Sequence, residues 1–78
     1  MVTPEYIENL VKENLEIEFI SVKGDGHHFE MTIVSKLFSG KNLLQQHQIV
    51  YKAIGDDMKE KIHALSIKSL TPDQWNKN

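Results

Sequence analysis

The sequence predicts an α+β domain of two layers, in which helices pack against a three-stranded sheet in the order α-β-β-α-β-α. Stretches with an apolar residue at every third or fourth position alternate with stretches in which every second residue is apolar. Glycine, proline and polar residues separate these stretches, as they do between elements of secondary structure. At 78 residues the chain has room for one small core. We therefore expect a single domain over residues 1–78.

The first element is a helix over about residues 3–14. Thr3 offers a capping hydroxyl, and Pro4 fixes a helical φ angle at the first position. The apolar side chains then repeat at helical spacing and form one stripe, which comprises Ile7, Leu10, Val11 and Leu15.

A β-hairpin follows over residues 17–35. Residues 17–23 are rich in β-branched and aromatic side chains and lead into the turn Gly-Asp-Gly at 24–26. In residues 28–35 apolar and polar side chains alternate, which is typical of a strand with one buried face. The apolar set of this second strand is Phe29, Met31 and Ile33.

A loop over residues 36–42 leads to a second helix, predicted to run from Leu43 to Lys61. Gly55 lies inside this helix and is a point at which it would kink or break. The stripe predicted to face the core comprises Leu43, His47, Val50, Ile54 and Met58.

The chain ends in a third strand and a short helix. Residues 63–70 alternate, with Leu65 and Ile67 on one face. Thr71 and Pro72 then repeat the signals of a helix start, and the helix they begin carries Trp75.

Composition excludes several classes of site. The chain has no cysteine, so it offers no thiolate nucleophile, and a metal would bind His, Asp, Glu or the thiolates of a partner. Its net charge of −2 disfavours strong unassisted binding to nucleic acid, although this argument does not apply to a local basic patch. No apolar run approaches the ~18 residues that span a bilayer, and we expect a cytoplasmic protein. No catalytic constellation is visible, and we expect Asp56 and Asp57 to be solvated.

The four histidines are the candidates for chemistry, because imidazole is the commonest neutral metal ligand. His27 and His28 end a hairpin, where such a pair is either a polar tip or half of a metal site. His47 lies on an apolar stripe, where a histidine is most often partly buried and bonded to the backbone. His63 is the first residue of the predicted third strand, where its side chain either has a structural role or is half exposed to solvent.

Five short motifs, in this order and spacing, make the chain resemble the BolA-like family over nearly its whole length. They are His28-Phe29 with Val34-Ser35, FSGK at residues 38–41, HQIVY at 47–51, HALSIK at 63–68 and TPDQW at 71–75. The hairpin is most similar to that of the bacterial branch with G-D-G-x-H-F. The resemblance implies a fold like that of a class II KH domain.

The resemblance also implies a partner protein and not an enzyme. BolA-like proteins pair with monothiol glutaredoxins around a [2Fe–2S] cluster, in iron–sulfur trafficking and iron or redox regulation. A glutaredoxin cysteine and a glutathione thiol bind one side, and the BolA-like chain supplies the histidine of the HA motif and a residue of the hairpin. Here the HA motif carries His63, and the hairpin ligand is His28 or His27. His28 is favoured because it adjoins Phe29, as in the bacterial branch.

Gly40, Lys41 and His47 are the residues expected to contact the partner or a nucleic acid. Many relatives place arginines on both sides of the helix histidine, whereas Gln46 and Gln48 stand there in this chain. The alternative function is a KH-like nucleic-acid-binding transcriptional regulator, which is disfavoured because FSGKN lacks the GXXG loop. Weak DNA binding, a simple histidine-bound metal carrier and a homodimer stay open.

Overall fold

The structure is a computed structural model that describes residues 2–56, 61–62 and 64–77. It confirms the α+β prediction and the order of the elements. A 3₁₀ turn at Lys36–Phe38 lies within the segment predicted as a loop. The helices and strands are α1 Pro4–Asn14, β1 Phe19–Gly24, β2 His28–Val34, α2 Leu43–Ile54, β3 Ala64–Leu70 and α3 Pro72–Asn76.

β2 is the central strand of a mixed three-stranded sheet. It pairs antiparallel with β1, where Phe19 lies opposite Val34, and parallel with β3, where His28 lies opposite Ala64. A parallel pair needs a long crossover between its strands, and the segment that contains α2 makes this connection.

The core lies between α1, α2 and one face of the sheet. The alternation predicted for β2 is confirmed, since its three inward side chains are all buried. Burial of these apolar side chains supplies the main force that holds the helices on the sheet. The buried cluster comprises Ile7, Val11, Ile20, Val22, Phe29, Met31, Ile33, Phe38, Val50 and Ile54.

The opposite face of the sheet is called the outer face here. It carries the alternate side chains of the three strands, and α3 contacts one end of it. There the rings of Phe19 and Trp75 stack with their centroids 4.8 Å apart. The strand residues of the outer face that remain accessible are Phe19, Ser21, Lys23, His28, Glu30, Thr32, Ser66 and Lys68.

A side-chain cap begins each of the three α-helices in the described part of the chain. Thr3 caps α1, as predicted. Asn42 with Gln45 forms a capping box at α2, and Thr71 with Gln74 forms one at α3. These reciprocal bonds satisfy backbone N–H groups that have no partner within the helix.

The prediction for the second helix is wrong in its end and at Leu43, whereas the predicted burial of Val50 and Ile54 is confirmed. α2 ends at Ile54, and Gly55 follows with a φ of 91°, so the helix stops where the sequence left a break open. Leu43 is 62% exposed, whereas Gln46 is buried. The buried face of α2 therefore differs from the predicted stripe at its start. In the first turns of the helix the polar Gln46 is buried, and the apolar Leu43 is not. Met58, like Asp57, lies outside the described residues.

The strand boundaries also differ slightly from the predicted ones. β1 begins at Phe19 and not at Ile17, although the N–H of Glu18 already donates to Val34 O at 2.9 Å. Ser35 leaves β2 because its side chain caps the 3₁₀ turn. Asp56 is exposed, as predicted. The likeness to a class II KH domain stays a prediction.

Candidate functional site

The turn between β1 and β2 holds its two histidines through one carboxylate. Oδ1 of Asp25 accepts hydrogen bonds from the backbone N–H groups of His27 and His28, both at 2.9 Å. These bonds, the one from His28 foremost, lower the pKa of the Asp25 carboxyl because they stabilise its charged form. The backbone of the exposed turn is therefore fixed by a local side chain.

The two glycines of this turn are required for different reasons. A Cβ on Gly24 would lie 2.5 Å from both the carbonyl oxygen of His28 and Cδ1 of Phe29, so no larger residue fits without movement. Gly26 has a φ of 98°, which other residues rarely adopt. Together the glycines bring the start of β2 close against the end of β1.

The structure places the hairpin histidines at one end of the sheet. His27 and His28 are both exposed, and His28 is the first residue of β2. Its register partner in β3 is Ala64, which follows His63 in the sequence. His63 itself lies outside the described residues. The hairpin thus meets the strand that begins within the HA motif.

His47 is partly buried on α2, as the sequence predicts. Its Nε2 atom is buried and has no hydrogen-bond partner in the part of the chain that the structure describes. The expected bond to nearby backbone is therefore absent at this nitrogen, which is unusual for a buried polar atom. Contact between His47 and a partner or nucleic acid stays a prediction.

The loop that carries Gly40 and Lys41 is exposed, but a buried amide anchors it. Nε2 of Gln46 donates to the carbonyl oxygens of Phe38 at 3.1 Å and of Lys41 at 3.0 Å. Ser69 of β3 donates through its Oγ to Oε1 of Gln46 at 2.6 Å. These three bonds are called the Gln46 network, and they hold the loop and α2 against β3.

The sequence pattern did not identify Asp25 as the anchor of the turn or Gln46 as the anchor of the loop. The Gly-Asp-Gly turn gives a usable signal for Asp25, because Asp side chains commonly bond backbone groups two or three residues ahead. No comparable signal exists for Gln46, since nothing in the periodicity of α2 distinguishes a buried amide from a solvated one.

A second feature of this region is a set of exposed side chains on and before α2, all apolar or aromatic except Lys41, called the α2 surface. Leu43 and Leu44 are 62% and 66% exposed. The segment 36–55 contains no acidic residue, although the chain as a whole is acidic. Lys36 pairs with Glu16 at 3.0 Å, which raises the pKa of its ammonium group. The α2 surface comprises Leu37, Lys41, Leu43, Leu44 and Tyr51, all exposed.

Among residues 2–56, 61–62 and 64–77, no group of three or more His, Asp or Glu side chains is placed to hold a metal ion. In the same part of the chain, no helix is both long and apolar enough to cross a membrane.

Comparison with known proteins identifies the family. The model of the BolA-like proteins matches residues 7–74. The chain belongs to the BolA-like family. This confirms the family membership that the motifs predict.

Two curated relatives and one solved structure illustrate this membership. Protein BOLA2 of Arabidopsis thaliana is 45% identical over 80 residues, covering 96% of this chain and 85% of that protein. The acid stress protein IbaG of Escherichia coli is 34% identical over 70 residues, covering 88% of this chain and 83% of that protein. The structure of a bolA protein homologue from Coxiella burnetii has a TM-score of 0.86 at 40% identity, covering 97% of this chain and 99% of the homologue. The BolA-like fold therefore extends over nearly the whole chain.

Proposed function

We propose that this BolA-like chain is a non-enzymatic partner of a monothiol glutaredoxin and that it supplies histidine ligands to a shared [2Fe–2S] cluster. The observation that carries the proposal is the register of β2 and β3. His28 lies opposite Ala64, and His63 is bonded to Ala64. The hairpin ligand position is therefore paired in the sheet with the residue that follows the other ligand position in the sequence.

The residues at this end fit a cluster ligand. His28 is exposed at the start of β2. Asp25 fixes its backbone, which reduces the conformational freedom lost on binding. Imidazole replaces thiolate on one iron of Rieske clusters, and this chain has no cysteine, so the thiolates would come from the glutaredoxin and glutathione. The bound cluster would supply one-electron redox chemistry or an iron–sulfur unit for transfer.

The α2 surface supports a protein partner. Adjacent exposed leucines are uncommon on a solvated helix, and apolar patches rimmed by polar groups often mark interaction sites. Lys41 lies two residues before the start of α2, and no acidic residue follows it until after Gly55. We expect a glutaredoxin surface with apolar residues and a carboxylate rim to contact it, with Gly40 and Lys41 at the edge.

The ligand assignment is tested by adding the chain to monothiol glutaredoxin that carries a [2Fe–2S] cluster. We expect the visible absorption and circular dichroism to change as histidine replaces a ligand. His28→Ala and His63→Ala should abolish the change, and His27→Ala, the matched neighbour, should retain it. Far-ultraviolet circular dichroism of each variant checks its fold.

Each result has a defined meaning. An unchanged spectrum with the wild-type chain contradicts the proposal as a whole. Loss of the change with His27→Ala but not with His28→Ala would contradict the choice between the two histidines and leave the partnership standing. A response that survives His63→Ala would remove that residue from the ligand set.

The partner surface is tested separately by calorimetric titration of cluster-free glutaredoxin. Leu44→Gln should weaken binding by about tenfold, because an exposed apolar contact would be replaced by a polar side chain. Stability should change by less than about 0.5 kcal/mol, as for most surface substitutions. Leu37→Gln, also exposed but on the 3₁₀ turn, measures how far the contact extends. Unchanged affinity in both variants would contradict the assignment of the α2 surface.

A further inference from the structure

The outer face of the sheet contains a groove that the proposed function does not use. Its volume is about 530 Å³, within the range of small-ligand sites. The groove is open to solvent, with the sheet as its floor and Trp75 of α3 among the residues that line it. From this groove we infer a weak binding site for a free nucleotide, that is, a nucleoside mono- or diphosphate.

The aromatic end of the groove suits a base. Phe19 and Trp75 stack on each other with their planes 18° apart, yet they remain 38% and 39% exposed. An exposed aromatic ring on a sheet offers a platform for nucleobases, and stacking tolerates any base because each has a π face. The folded chain therefore leaves part of both rings accessible, and a planar ligand would cover this aromatic surface.

The next row of the outer face suits a phosphate. Ser21, Thr32 and Lys68 lie side by side on the three strands, since Ser21 pairs with Thr32 and Thr32 pairs with Lys68. This row lies two residues along the strands from Phe19, or roughly 6.6 Å, a distance that a ribose spans. Lys68 is exposed and forms no ion pair with any described residue. Its ammonium group and two hydroxyls therefore form a set of donors beside the aromatic end.

The row beyond it limits the length of the ligand. Lys23 lies opposite Glu30, so the charges of these two side chains offset each other. Among the described strand residues of the outer face, the charged side chains are Lys23, Glu30 and Lys68, which leaves an excess of one cation in a chain whose net charge is −2. That charge balance suits one phosphate group or a short phosphate chain. It disfavours a polyanionic strand, whose phosphates would continue over Glu30.

Trp75 reports binding directly because it is the only tryptophan of the chain. We expect ADP to quench its fluorescence with saturation at low ionic strength, when the light used excites indole but not adenine. Pyrophosphate lacks the base and adenosine lacks the phosphates, so each should bind at least about tenfold more weakly than ADP.

Two variants and a control locate the site. Lys68→Gln should weaken ADP binding by about tenfold, whereas Lys12→Gln, which removes the same charge from an exposed position on α1, should change it less than twofold. Thr32→Val removes a hydroxyl from the floor while keeping a β-branched side chain, and it should weaken binding severalfold. Amide shifts in NMR spectra check that each variant folds and that ADP perturbs the outer face.

Several results would overturn the inference. The first is the absence of both saturable quenching and amide shifts at Ser21, Thr32 and Lys68. The second is an equal loss of ADP affinity in Lys12→Gln and Lys68→Gln. The third is equal affinity for pyrophosphate and ADP. A short adenylate strand that binds more tightly per nucleotide than ADP would make a single strand the occupant and contradict the free nucleotide. Because none of these measurements involves glutaredoxin or a cluster, their failure leaves the proposed function untouched.

Discussion

Two exposed segments carry the candidate contact residues, and they are held in different ways. The hairpin turn at residues 24–28 depends on Asp25, whose carboxylate bonds backbone groups two and three positions ahead. The loop at residues 38–41 depends on the Gln46 network, in which Ser69 bonds a residue 23 positions away. The first segment is organised locally, and the second is organised by the tertiary fold.

The turn and the loop are therefore held rigid for different physical reasons. The turn can be altered without disturbing the core, because its bonds are exposed and close in sequence. The loop cannot be altered without disturbing the core, because the amide that holds its carbonyl groups is buried between α2 and β3. Substitutions near the proposed cluster ligand should therefore affect local order, while substitutions behind the loop should affect the stability of the whole domain.

The largest effect is expected at the buried residue beside the loop. Phe38 is fully buried, and Phe38→Ala should lower the free energy of unfolding by about 3–5 kcal/mol through lost burial and a cavity. Leu37→Ala, at the exposed neighbour, should cost less than about 0.5 kcal/mol. Urea denaturation of both variants measures the difference. Similar losses at the two positions would mean that the loop is not anchored through its buried side.

The next effect tests the Gln46 network itself. Gln46→Met keeps the length of the side chain but leaves two carbonyl groups and the Ser69 hydroxyl without the amide, which should cost about 2–3 kcal/mol. The matched substitution Gln48→Met, at an exposed position of the same helix, should be nearly neutral. Denaturation curves compare the variants. A neutral Gln46→Met would show that water replaces the amide and that the loop needs no tertiary anchor.

A smaller effect is expected when the turn loses its local anchor. Asp25→Ala should lower Tm less than Gln46→Met, because its bonds lie at the surface. It should nevertheless speed the amide exchange of His27 and His28, which lose their acceptor. Asp25→Asn keeps an oxygen acceptor and should largely restore the protection. Equal exchange in all three proteins would contradict the anchoring role.

The smallest effect is a change with pH confined to the turn. The folded state has the lower pKa for Asp25, so the stabilisation by this carboxylate is fully present above its unfolded value of about 4. It is lost as the pH falls through the lower folded value. The amide shifts of His27 and His28 should therefore respond to acid in this range, and Gly40 should not. The response should disappear in Asp25→Asn.

Features that depend on residues close together in the chain follow from the sequence pattern alone. Capping of α1 by Thr3, the alternation of β2 and the turn at Gly24 and Gly26 each involve residues a few positions apart, so local pattern suffices. The motifs spread along the chain also determined the family, which the match over residues 7–74 confirms.

The buried face of α2 and the groove on the outer face depend instead on the tertiary structure. Gln46 is buried because Phe38, Lys41 and Ser69 together satisfy its amide, and no periodicity encodes such distant partners. The groove needs Trp75 of α3 to stack on Phe19 of β1, two residues that lie far apart in the sequence. Contacts between residues far apart in sequence depend on the whole fold, and for that reason the sequence pattern left them open.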